Sequence, residues 1–171
     1  RKDQSSSEIE TMNIEQTLLD ATKMLKATIP TSITVNTSIQ ENIPHVKSNA
    51  GLISQVFLNL CINAKDSMGE EGNLLITLEV EKFNNDTCTS CGEFFAGEYV
   101  VIGIKDSGEG IPKDVIERMF EPFFTSKKMG EGTGMGLSVV HGIVHKLGGH
   151  IVVKSEVGEG SSFKILLPIS D

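Results

Sequence analysis

No run of apolar residues in this 171-residue chain approaches the roughly 20 needed to cross a bilayer, and no signal-peptide pattern opens it. Basic residues are in the minority, 15 Lys and Arg against 23 Asp and Glu, and the net charge of -8 argues against a nucleic acid held through its phosphates. Cysteine is scarce. Cys61, Cys88 and Cys91 cannot close a disulfide framework, which excludes a disulfide-stapled secreted scaffold and makes a cytosolic setting the expectation. There is no internal repeat, no H-E-x-x-H and no glycine-rich loop ending in Gly-Lys-Ser/Thr. The first residue is Arg1 and not Met, so the chain is expected to be a piece of a longer polypeptide.

What is present reads as one globular domain. Hydrophobic residues make up 39% and charged residues 22%, enough to bury a core and too apolar for a disordered chain. Residues 1–8 are polar, with three serines in succession, and are expected to be a linker or terminal extension; 9–171 is the domain. Ile14, Leu18, Leu19, Ala21, Met24 and Leu25 recur at helical spacing, and Pro30 closes that segment. Ser32–Ile39 alternates like a strand, and a loop through Pro44 follows.

Asn49–Met68 predicts a long helix whose Ile53, Val56, Phe57, Leu60, Ala64 and Met68 share a core-facing arc. Asn59, Asn63 and Asp66 fall within about 60° of one another on a second arc, so two amides and a carboxylate point the same way. Lys65 points elsewhere. Asn73–Phe83 and Glu98–Lys105 read as strands on either side of a polar loop, Asn84–Gly97, that contains Cys88-Thr-Ser-Cys91. Asp114–Met119 predicts a short helix and Phe120–Gly130 is poorly periodic. Leu137–Leu147 predicts a helix stopped by Gly148 and Gly149, and Ile151–Lys154 with Ser162–Pro168 predicts a closing hairpin.

The stretch from Gly130 to Leu137, G-E-G-T-G-M-G-L, alternates glycine with other residues and runs straight into an apolar helical pattern. Glycine lets a backbone approach a ligand closely, and a helix N-terminus presents unpaired N–H groups, a combination that suits phosphate.

Four segments stand in order: N-L-C-I-N-A-K-D from Asn59, D-S-G-E-G-I from Asp106, F-E-P-F-F from Phe120 and G-T-G-M-G-L from Gly132. With these the chain resembles the ATP-binding catalytic domain of bacterial-type sensor histidine kinases. That domain belongs to the superfamily shared with gyrase-type topoisomerases, heat-shock chaperone ATPases and mismatch-repair ATPases. The similarity covers most of the chain from about Ile14 and includes the tail, V-V-K-S-E-V-G-E-G-S-S-F-K-I-L-L-P. The expected fold is a two-layer α/β sandwich of the Bergerat type, a mixed, mostly antiparallel sheet with about three helices on one face and an ATP lid.

The resemblance implies ATP and Mg2+ as cofactors. Asn63 matches the residue whose amide oxygen binds Mg2+, a hard cation that keeps several waters. Asn59, one turn earlier, lines the phosphates or a metal-bound water. Asp106 accepts from the adenine amine, and Gly108, Gly110 and Ile111 lie against the purine. Phe123 borders the lid, at least one of Phe120, Phe123 and Phe124 is expected to pin that loop into the core, and Lys127 reaches the γ-phosphate. Gly132, Thr133, Gly134, Met135, Gly136 and Leu137 face the triphosphate, and Ser161 stands near Asp106. The half from Gly130 to Thr133 is expected to move without nucleotide, while Gly134 to Leu137 anchors the helix. For Asp66 a site role and a purely structural one stay open.

The ATP-hydrolysing members carry a Glu base on the helix where this chain has Asn59, and an amide cannot take a proton. Phosphoryl transfer to a histidine is therefore expected over vigorous hydrolysis. None of His45, His141, His145 and His150 is followed by the acidic-x-x-polar pattern of an acceptor. The partners implied are an upstream dimerisation and phospho-acceptor domain and a response regulator receiver domain, with no nucleic acid and no membrane contact. The expected setting is cytoplasmic, including the cytoplasmic part of a membrane-anchored sensor. An ATP-hydrolysing conformational module and a non-catalytic nucleotide-sensing module are the alternatives. Cys88-x-x-Cys91 is half of a four-ligand zinc site; with no second pair nearby in sequence, an inert or redox-labile loop is the first expectation, and zinc shared across a dimer or a sensory thiol pair the second. His141 and His145 are expected to be a helix-surface pair.

Overall fold

A computed structural model of the chain describes residues 8–124 and 136–170. Its elements in order are β1 (Glu10–Met12), α1 (Glu15–Lys26), β2 (Ile33–Ile39), β3 (Val46–Ser48), α2 (Ala50–Met68), β4 (Gly72–Thr87), β5 (Phe94–Asp106), α3 (Lys113–Ile116), α4 (Gly136–Lys146), β6 (His150–Glu156) and β7 (Gly160–Pro168). The main sheet has the order β2-β4-β5-β7-β6. Only β2 and β4 are parallel, joined through α2; the other three pairings are antiparallel. This is the mixed, mostly antiparallel sheet expected from the sequence.

Alternation along the strands sends one set of side chains to the helices. Leu74, Ile76 and Leu78 of β4, Val100, Ile102 and Ile104 of β5, and Phe163, Ile165 and Leu167 of β7 join Leu18 and Leu25 of α1, Phe57 and Leu60 of α2, and Val140 and Val144 of α4 in one core. Each such side chain contributes roughly 1.5–3 kcal/mol of burial. The arc expected on α2 is the buried one, with Met68 at its margin and Cys61 added to it. Asn49 starts α2 from an extended backbone, and its side-chain oxygen accepts from the Leu52 N–H at 2.8 Å.

The expected polar loop over Asn84–Gly97 is largely strand. β4 runs on to Thr87 and β5 begins at Phe94, with a register break between Phe83 and Asp86. Polar residues hid this hairpin because each of its sides packs sparingly. Phe83, Cys88, Phe95, Val101, Val152 and Leu166 form a second, smaller core that includes the hairpin, with Tyr99 against it. The tip docks on β6, the last strand of the sheet. Thr89 N–H donates to the Ile151 carbonyl at 2.7 Å, Ile151 N–H donates to Cys88 Sγ at 3.4 Å, and Val153 N–H donates to Thr89 Oγ1 at 2.9 Å. Two three-residue strands also went unforeseen: β1 and β3 pair antiparallel, Thr11 opposite Lys47.

Candidate functional site

β5 delivers Asp106 at its last position, opposite Leu74 of β4 and Ser161 of β7. The residue is only 6% exposed. Burial raises its carboxyl pKa above the ordinary aspartate value, against the N–H groups of Gly108 and Ser161, which favour the carboxylate. Gly108 N–H donates to Oδ1 at 2.8 Å. A Cβ on Gly108 would run into Ser67 Oγ and the Asp106 carboxyl, so this position needs a bare backbone. Gly110 has φ +79, and a Cβ there would strike the backbone carbonyl of Glu156.

The chain after this turn is tied to the closing hairpin. Ile111 N–H donates to Ser155 Oγ at 2.7 Å, and Ser155 Oγ lies 2.9 Å from Ser161 Oγ and donates to the Gly160 carbonyl at 3.1 Å. Gly158 N–H donates to the Glu109 carbonyl at 2.7 Å. Ser161 is buried with Asp106 and pairs with it across β5 and β7.

α2 runs alongside. Asn59 Nδ2 donates to the carbonyl of Gly136, the first residue of α4, at 3.4 Å. Asn63, one turn on, is half-buried and has no hydrogen bond to another described residue. Ser67, a further turn on, reaches the Asp106 turn, its Oγ accepting from Glu109 N–H at 3.1 Å. One helix face thus spans from the start of α4 to the Asp106 turn, and the open amide of Asn63 lies between its two ends. An amide oxygen is a hard donor of the kind a hard divalent cation accepts. Asp66 has contacts of its own, among them Lys65 Nζ at 3.5 Å.

The three phenylalanines divide their work. Phe120 is buried against the core near His141, and Phe124 lies under the Arg118 guanidinium, 4.8 Å from the ring centre. Phe123 is 75% exposed and holds φ +68, a conformation that favours glycine. Gly136 and Leu137 open α4 as expected. Lys127, Gly132, Thr133, Gly134 and Met135 lie outside the described residues, as does the expectation that Gly130–Thr133 moves.

Two residues that hold the site together, Ser67 and Ser155, were missed. Ser67 was in reach, because it continues the Asn59–Asn63 face at i+4. Ser155 was not, since only the docking of the turn after Asp106 on the closing hairpin brings it to the Ile111 N–H. The histidine pair on α4 also needs correction. His141 and His145 are both half-buried, their rings 4.4 Å apart, and His145 Nε2 lies 3.0 Å from Ser90 Oγ. Among the described residues, no helix is long and apolar enough to cross a membrane.

The chain is similar to known proteins. Sensor kinase CckA of Brucella abortus is 37% identical over 159 residues, 93% of this chain and 17% of that protein. Sensor histidine kinase ZraS of Escherichia coli is 36% identical over 130 residues, 76% of this chain and 24% of that protein. The chain therefore spans about a fifth of the length of these curated relatives. Among solved structures, the catalytic domain of histidine kinase ThkA, nucleotide-free, superimposes with a TM-score of 0.74 at 26% identity, covering 95% of this chain and 96% of that one. The sequence profile of the histidine kinase-, DNA gyrase B- and HSP90-like ATPases matches residues 48–171, which take in α2, the Asp106 turn, α4 and the closing hairpin. The chain belongs to that family of ATPases.

Proposed function

We propose that the chain is the ATP-binding catalytic domain of a two-component sensor histidine kinase. It delivers the γ-phosphoryl group of ATP to a histidine on a separate upstream dimerisation domain, and a response regulator receives the phosphate from there. The setting is cytoplasmic. Asp106 takes the adenine amine, and Gly108, Gly110 and Ile111 lie along the base. Asn63 and the phosphates hold Mg2+, which supplies charge neutralisation when bound. Asn59, Lys127, Thr133, Met135 and the N–H groups from Gly132 to Leu137 position the triphosphate, with Phe123 at the rim. Catalysis of this kind is positioning and electrostatics, with little covalent work for the protein.

The observation that carries the kinase reading over a hydrolytic one is Asn59. Its amide, at the place where hydrolytic members of the superfamily carry a Glu base, ties α2 to the start of α4. An amide there cannot activate water. The test compares this chain alone with the longer polypeptide that contains it, both given ATP and Mg2+. The expected result is acid-labile phosphohistidine in the longer protein, lost with Asp106→Ala, and ATP hydrolysis near background in the chain alone. Steady hydrolysis by the chain alone, at a rate indifferent to the upstream domain, would point to a conformational ATPase. Phosphorylation that survives Asp106→Ala would sink the site assignment.

A further inference from the structure

We propose that Cys88 and Cys91 of the β4–β5 tip, His150 at the start of β6 and His145 at the end of α4 form a tetrahedral zinc site on the sheet edge, away from the nucleotide. The first three offer ligand atoms that all lie within 4.8 Å of one another. His145 Nε2 lies 3.8 Å from Cys88 Sγ. Zinc bonds of about 2.3 Å to sulfur and about 2.1 Å to nitrogen at a tetrahedral angle put those two atoms roughly 3.6 Å apart. The second half of the ligand set is thus remote in sequence: His150 stands close to both cysteines, and His145 meets the group at Cys88.

The surroundings are built for it. Gly92 follows the pair with φ +82, and its N–H donates to the Cys88 carbonyl at 2.8 Å, a tight turn that holds both cysteines on one short loop. The Ile151 N–H on Cys88 Sγ is the kind of donor that supports a thiolate. All three cysteines are free thiols. The His150 ring is stacked on Phe95, with centroids 4.6 Å apart, and its Nδ1 is buried without a hydrogen-bond partner. Two thiolates and two neutral imidazoles leave zinc with no net charge, so the site suits its half-buried place. Sulfur and imidazole donors in this number favour zinc over Mg2+ or Ca2+. On binding, two S–Zn bonds and two N–Zn bonds replace zinc-bound waters, and the two thiol protons go to solvent.

The test is zinc content of the purified, reduced chain, followed by titration of the metal-stripped chain with Co2+. About one zinc per chain is expected, with Co2+ giving the thiolate charge-transfer band and the intense visible bands of a tetrahedral site. Cys91→Ser should abolish both; Cys91 is exposed, so an unchanged circular dichroism spectrum will show that the variant is folded. His145→Ala should weaken Co2+ binding by about tenfold or more. Two results overturn the proposal: no stoichiometric zinc and no thiolate band in the reduced chain, or zinc that Cys91→Ser and His150→Ala leave in place.

Discussion

A buried carboxyl at the end of a strand carries two opposed demands, and Asp106 meets both. Burial favours its proton, while the N–H groups of Gly108 and Ser161 favour its charge, and burial prevails. Its folded-state pKa therefore lies above the unfolded one. The stability associated with the protonated form is fully present below the unfolded value and is lost as pH rises through the folded value. Asp106→Asn cannot ionise, so the unfolding free energy of the variant should gain on the parent as pH rises from about 3 to 7. Denaturation series at several pH values check this, and a pH-independent difference would contradict it. The same variant should bind an ATP analogue about 100-fold more weakly, because an amide cannot replace the acceptor without losing a bond elsewhere. Asn63 predicts the reverse balance. Having no partner among the described residues, Asn63→Ala should change stability by less than about 0.5 kcal/mol. Calorimetric titration should show that it removes most of the Mg2+ dependence of nucleotide binding; unchanged Mg2+ dependence would move the metal elsewhere.

Between residue and fold lie the caps and turns that aim these groups. Asn49→Ala removes the cap of α2 and should cost about 1 kcal/mol. Gly110→Ala should cost roughly 1–3 kcal/mol or more, since the left-handed backbone and the Glu156 carbonyl both oppose a Cβ. Urea midpoints of the two variants, with unchanged slopes, decide both. Periodicity sufficed for the elements that bury one regular face, α1, α2, α4 and the middle strands, and it put Asn59 and Asn63 on one face of α2; the other candidate site residues came from the resemblance. It failed where burial is partial. β1 and β3 are three residues long, and the outer half of the β4–β5 hairpin packs few side chains. Ser155 became visible only once the Asp106–Ile111 turn met the closing hairpin, and the Cys88–His150 grouping only once the hairpin tip met β6. Spacing along one element can be read from sequence; convergence of three elements cannot.

Over the whole molecule, the site joins α2, the β5 turn, α4 and the β6–β7 hairpin, so a ligand held there stabilises the fold and not one loop. An ATP analogue with Mg2+ at 100 times its dissociation constant should add about 2.7 kcal/mol. For a domain of this size the melting temperature should rise by roughly 5–10 °C, and a chelator should cancel most of the rise. A thermal scan with and without chelator reads both outcomes; a rise that the chelator leaves intact would contradict Asn63 as a metal ligand.

The hairpin tip on β6 has a consequence for how the chain folds. An uncovered outer strand is a template for another chain, and here the cover comes from Thr89 and Cys88, about sixty residues earlier in the sequence. Closing so long a loop is slow compared with the local β6–β7 hairpin. During refolding β6 is therefore paired on its inner side before its outer side is shielded, and the interval between is the period of greatest aggregation risk. Pulsed hydrogen exchange should find the N–H groups of Ile151 and Val153 protected later than those of β7.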